Sequence, residues 1–178
     1  TILNIAGNDS IVAVHAVVPS KDTYQIVRDL KKLVDWAQKT GQTLIQILPV
    51  NDTTMTGDWM DSYPYNACSS FALHPQFINL EAAGVVPDAE FSALKRELNS
   101  LETVDYVRVN KAKTSYLRKA YAAAGANVAR RKSYREFMDA NRDWLVPYAA
   151  FCALRDEYET ADFSQWGDMA VYTRAKVQ

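Results

Sequence analysis

Residues 51–70, NDTTMTGDWMDSYPYNACSS, gather more chemistry than any other stretch of this chain. Asn51, Asp52, Asp58 and Asp61 fall within fifteen residues of Trp59, Tyr63 and Tyr65. Carboxylates and amides exchange hydrogen bonds with vicinal hydroxyls. Aromatic faces cover the apolar C–H face of a pyranose ring, and a tyrosine hydroxyl adds a polar handle. Pro64 fixes its own φ and biases Tyr63 toward an extended backbone, so the directions of the two tyrosines are partly set in advance. This is the composition of a sugar-facing loop. The bland alternative is a polar surface loop whose aromatics turn into the core.

Other chemistries find less support. Asp58 and Asp61, three apart on a loop, are poorly placed to hold the separation that a glycosidase carboxylate pair requires. Asp52, Asp58 and Asp61 do not follow the spacing of a calcium-binding helix–loop–helix. His15 and His74 are isolated from other ligand types, so no zinc site is expected. His15 reads as a core histidine and His74 as structural. Cys68 and Cys152 read as free thiols of a reducing compartment. No G-x-S-x-G, Walker or G-x-G-x-x-G motif occurs.

The elements around the loop follow from periodicity. Residues 11–18, IVAVHAVV, read as a strand buried on both faces. Residues 23–39 switch to helical period, with Ser20 or Asp22 as cap and Gly41 as the left-handed stop. Residues 43–50, TLIQILPV, return to strand composition. Strand, helix and strand in this order predict a parallel βαβ unit whose loop 51–70 leaves the carboxyl end of the second strand, where α/β folds bind ligands. Beyond Pro87 the pattern is helical. Phe91, Leu94, Leu98 and Leu101 mark one helix. A second is expected over 106–124, stopped by Gly125. Ser133 with Glu136 matches a capping box for a third, and Asp143 is placed to cap a fourth with Pro147 near its first turn.

Twenty basic against 21 acidic residues leave a net charge of −1, which gives nucleic acid no electrostatic footing. The longest apolar run, Ile11 to Val18, is far below the roughly 20 residues of a membrane span. No signal peptide is read at the start, and a cytoplasmic location is expected.

Four segments resemble one family. They are DLKKLVDWA (29–37), QILP (46–49) followed by the Thr-rich NDTT, DSYPY (61–65) and SSFALHP (69–75). Together they resemble 4-α-glucanotransferases of the amylomaltase type, and NDTT with WMDSYPY resembles the longer plant-cytosolic and bacterial branch. DWLVPYAAFCALRDEY (143–158) and DFSQW (162–166) resemble the family's helical insertion. The resemblance implies that Tyr65 stacks on or borders the sugar at the cleavage point, and that Asp61 supports the loop or binds hydroxyls. Trp59 and Tyr63 join them as substrate-binding candidates on chemical grounds alone. It also implies an α/β fold: the first two strands of a (β/α)8 barrel in residues 1–86, carrying the loop, then a helical insertion in 87–178. The activity implied is transfer of α-1,4-glucan segments between maltodextrins by retaining double displacement, without metal or organic cofactor. The partners implied are an α-1,4-glucan or maltooligosaccharide and the remainder of the barrel. The family's catalytic carboxylates lie on later strands. None is matched here, so no catalytic residue is assigned and the chain alone is expected to be inactive. One departure stands out: the Ser- and Gly-rich loop to "G-D-F" after the family's first strand is missing between Val18 and Leu30. A non-catalytic α-glucan-binding module and a helical interaction domain are the alternatives.

Overall fold

The computed structural model describes Leu3–Asn4, Ile11–Val14 and residues 23–177, with side-chain surroundings from residue 31 onward. His15 and the candidate caps Ser20 and Asp22 lie outside the described residues. Three short strands, β1 (Leu3–Asn4), β2 (Ile11–Val14) and β3 (Leu44–Gln46), pair in the order β1-β2-β3. β1 is antiparallel to β2, and β2 is parallel to β3 with Ile11 opposite Leu44.

Helix dominates everything else. It forms α1 (Thr23–Lys39), α2 (Ala89–Ser100), α3 (Tyr106–Ala129), α4 (Lys132–Tyr158) and α5 (Arg174–Val177). The expected α/β class, with the start of a (β/α)8 barrel, is therefore corrected to a mainly α chain. A barrel start would need full strands joined only in parallel. Here the strands have two, four and three residues, the edge pairing is antiparallel, and no strand follows β3 among the described residues. The run 43–50 yields only three strand residues. Pro49 has no N–H for a ladder and restricts the residue before it.

The chain packs as two compact units. One holds residues 1–50 and 75–116; the other holds 51–74 and 117–178. In the first, the Asp88 carboxylate accepts the Phe91 N–H at 2.7 Å and so caps α2. Phe91 and Tyr116 are buried edge to face, ring centres 5.1 Å apart. An apolar cavity of about 100 Å³ lies beside them, lined among others by Leu80, Leu94 and Leu98. Gly41 ends α1 at φ +72°, where Gln42 N–H reaches back to the Ala37 carbonyl. Val34, Leu44 and Ile47 stay exposed, so this sheet and helix keep apolar surface uncovered.

In the second unit, Trp166 is buried against Phe151 and Tyr158 and donates its indole N–H to the Thr160 carbonyl at 3.0 Å. Two short 3-10 turns, Phe163–Gln165 and Gly167–Ala170, lead on to α5. No helix among the described residues is long and apolar enough to cross a membrane.

Three helix-end expectations fail. Gly125 does not stop α3, which runs on to Ala129; the alanines at 122–124 and 126 are the strongest helix formers and outweigh one glycine. Ser133 forms no capping box, because α4 opens at Lys132 with Arg131 at the N-cap and no side-chain cap. The third and fourth helices are one 27-residue helix that passes through Pro147. The nearest atoms to a methyl group built on Gly125 are those of the Tyr121 ring, at 2.6 Å, and that side chain is 76 % exposed with room to swing aside. Gly125→Ala is therefore expected to raise stability by about 0.5–1 kcal/mol, read as a higher urea midpoint at unchanged slope. A lowered midpoint would mean that the ring is held where it is.

Candidate functional site

The loop is closed at its base by backbone. Asn51 and Leu73 form an antiparallel bridge, and Asp52 N–H donates to the Ala72 carbonyl at 2.9 Å. Cys68 N–H donates to the Asp52 carbonyl at 2.8 Å and its thiol to the same oxygen at 3.2 Å. A 23-residue excursion thus returns to its own start, as a compact surface loop does.

Two buried carboxylates hold it. Asp52, 1 % exposed, accepts the Tyr148 hydroxyl at 2.6 Å on Oδ2. Its Oδ1 takes the Thr54 hydroxyl at 2.7 Å and the Thr54 N–H at 3.0 Å. Asp61, 4 % exposed, is ringed by loop donors. Oδ1 accepts the N–H groups of Met55 and Thr56 at 3.1 Å and the Thr56 hydroxyl at 3.0 Å; Oδ2 accepts the Gly57 N–H at 2.7 Å. The Asp61 carbonyl accepts the Thr53 hydroxyl. Gly57, at φ +75°, supplies the left-handed turn that brings its amide round to the carboxylate. Asp58 caps the short turn Trp59–Ser62 by accepting Met60 N–H at 2.7 Å.

These bonds leave the aromatics outside. Trp59 is 73 % exposed, Tyr63 59 % and Tyr65 61 %. The two tyrosine rings lie 5.6 Å apart at 57° on either side of Pro64. The bland expectation, aromatics tucked into the core, does not describe them. Such a surface offers tilted apolar faces with hydroxyl rims, while the buried carboxylates of Asp52 and Asp61 are engaged in holding the loop and the exposed Asp58 caps its short turn through Oδ1. It is suited to binding a ring with apolar faces and hydroxyl edges rather than to proton transfer.

Beneath the loop lie Tyr148 and Arg155 of α4, which sequence reasoning passed over, with Cys152, read from the sequence only as a free thiol. Arg155 Nη1 donates to the Thr54 carbonyl at 2.7 Å, and Trp144 stacks on Phe71 with ring centres 5.4 Å apart at 20°. Burial alone would raise the pKa of Asp52. The Tyr148 hydroxyl, then the hydroxyl and N–H of Thr54, outweigh it and hold this carboxyl below the usual range; the nearby His74 helps. Tyr148 moves the other way, pushed up by burial and then by its bond to Asp52. Burial, followed by the Asp52 charge, pushes the Cys68 thiol up to about 12, and burial also raises Cys152. Both cysteines are free and half-buried. As neutral thiols they are poor nucleophiles and poor metal ligands. Among the described residues no group of three His, Cys, Asp or Glu side chains is placed to hold a metal ion.

The Asp52 shift carries a sign. Its folded pKa lies below the unfolded value of about 3.9, so its contribution to stability is fully present above about pH 4 and is lost as pH falls through the folded value. Asp52→Asn is expected to flatten the acid limb of stability below about pH 4, measured by urea unfolding. An unchanged acid limb would place the lost protons elsewhere.

Comparison with known proteins agrees on one family. A family-wide sequence model described as 4-alpha-glucanotransferase matches residues 18–178. The chain is 43 % identical over 154 residues to 4-alpha-glucanotransferase DPE2 of Oryza sativa subsp. japonica, covering 84 % of this chain and 16 % of that protein. It is 34 % identical over 143 residues to the 4-alpha-glucanotransferase of Chlamydia pneumoniae, covering 78 % and 26 % respectively. The chain thus spans roughly a sixth to a quarter of the length of these relatives. No solved structure gives a significant match.

Proposed function

The chain belongs to the 4-alpha-glucanotransferase family, and on that premise we propose that it supplies the glucan-binding loop of a cytoplasmic enzyme that transfers α-1,4-glucan segments between maltodextrins. The observation that carries this reading is the exposure of Trp59, Tyr63 and Tyr65 on a loop whose buried carboxylates, Asp52 and Asp61, are spent on holding it. A rigid aromatic surface loses little conformational freedom when a sugar ring lands on it. In this reading Tyr65 borders the sugar at the point of transfer and Tyr63 and Trp59 extend the surface. Asp61 acts as the loop's support, its oxygens being already occupied by four donors.

Catalysis belongs to carboxylates elsewhere in a longer protein, working by retaining double displacement. The engaged state of the buried Asp52 and Asp61 supports this, as does the small share of each relative that the chain spans. The free thiols of Cys68 and Cys152 suit a reducing cytoplasm.

The test is disproportionation of maltotriose by the full-length protein that carries this chain. Glucose and longer maltodextrins are expected. Tyr65→Ala should lower kcat/KM about tenfold, the loss of one aromatic face worth about 1.5 kcal/mol. Absence of both products would overturn the transfer activity. If maltoheptaose nevertheless bound, a non-catalytic glucan-binding module would take its place.

A further inference from the structure

We propose that one stripe of α4, formed by Trp144, Tyr148 and Arg155, is the positioning element that aims the aromatic loop at its glucan. This rests on the glucan-binding reading above.

The three residues are spaced four and seven apart. At 100° per residue they fall within about 40° of one another around the helix, so they make one line along its surface. Each grips the loop differently. Tyr148 donates to the buried Asp52 carboxylate at 2.6 Å. Arg155 donates to the Thr54 carbonyl at 2.7 Å. Trp144 stacks on Phe71, and its own indole N–H is held by Asn141 Oδ1 at 2.9 Å. The attachments fall at residues 52, 54 and 71, on both limbs of the loop and close to its base. Between them the crown, residues 55–67, carries Trp59, Tyr63 and Tyr65 and is organised from inside by Asp61.

The division of labour follows. Asp61 gives the crown its shape, while the α4 stripe sets the direction in which that shape faces. Arg155 is itself braced, both of its outer groups bonding Asp156 Oδ1, at 3.0 Å from Nε and 2.8 Å from Nη2. A fork-shaped guanidinium can hold Asp156 and Thr54 together; a lysine ammonium cannot match that geometry. Tyr148 and Arg155 touch no sugar in this account and act only through Asp52 and Thr54.

The test uses the full-length protein, with KM and kcat for maltotriose and the thermal midpoint as readouts. Tyr148→Phe removes one hydroxyl and keeps the ring. It is expected to raise KM about fivefold to tenfold, less than the full worth of one hydrogen bond to a charged group because the loss reaches the sugar only through the loop, with kcat per folded enzyme within about twofold. Arg155→Lys should move KM in the same direction and serves where Tyr148→Phe does not fold. In a Tyr65→Ala background Tyr148→Phe should add less than its effect alone, because it works through the loop that carries that ring. An unchanged KM in both α4 variants, beside a raised KM in Tyr65→Ala, would overturn the positioning role and leave the glucan reading standing. Full additivity with Tyr65→Ala would overturn it too, as would kcat falling only in step with the folded fraction. An unchanged KM in Tyr65→Ala itself would remove the glucan reading and this proposal with it.

Discussion

A carboxylate with almost no contact with water must find its partners inside the protein, and Asp52 finds the hydroxyl of Tyr148, the hydroxyl and N–H of Thr54 and, more distantly, the Cys68 thiol. Unpaired, a buried charge of this kind would cost several kcal/mol. Paired, it ties a residue at the start of the loop to a helix 96 positions later in the chain. The other loop contacts follow from that tie. With Asp52 fixed, its carbonyl receives Cys68 and its N–H meets Ala72, which closes the base. With the base closed, Asp61 gathers the amides of residues 55–57 and turns the aromatics outward.

Aromatic crown and support are therefore separate chemistries in the same unit. The support is polar, buried and short-ranged. The crown is aromatic and exposed. The small core fits the same picture. From residue 31 to residue 177 the buried apolar side chains are Ala37, Ala72, Val85, Phe91, Tyr116 and Trp166, while many large ones remain exposed.

The composition and exposure of the candidate loop were more legible in the sequence than the fold. Sugar-binding composition is local, so Trp59, Tyr63 and Tyr65 could be picked from twenty consecutive residues. The role of Asp61 was legible only as a choice between support and hydroxyl binding, because no sequence rule says which way a carboxylate turns. Tyr148 and Arg155 were passed over because a polar stripe on a helix ordinarily faces water; the readable signal was their alignment with Trp144 at spacings of four and seven. The barrel expectation failed because two apolar runs look alike whether they pair over eight residues or over three. The helix ends failed for a related reason. Caps and prolines are worth about 1–3 kcal/mol, and Trp144 and Tyr148, anchored on the loop either side of Pro147, outweigh that locally.

The central claim is that glucan lies on the loop's aromatic crown. The most direct measurement follows the indole N–H resonance of Trp59, assigned with Trp59→Phe, while maltoheptaose is titrated into this chain. The account predicts a saturable shift at Trp59 and none at Trp166, which is buried and bonded to Thr160. A spectrum in which Trp59 stays still at saturating sugar, or moves only together with Trp166, would contradict it.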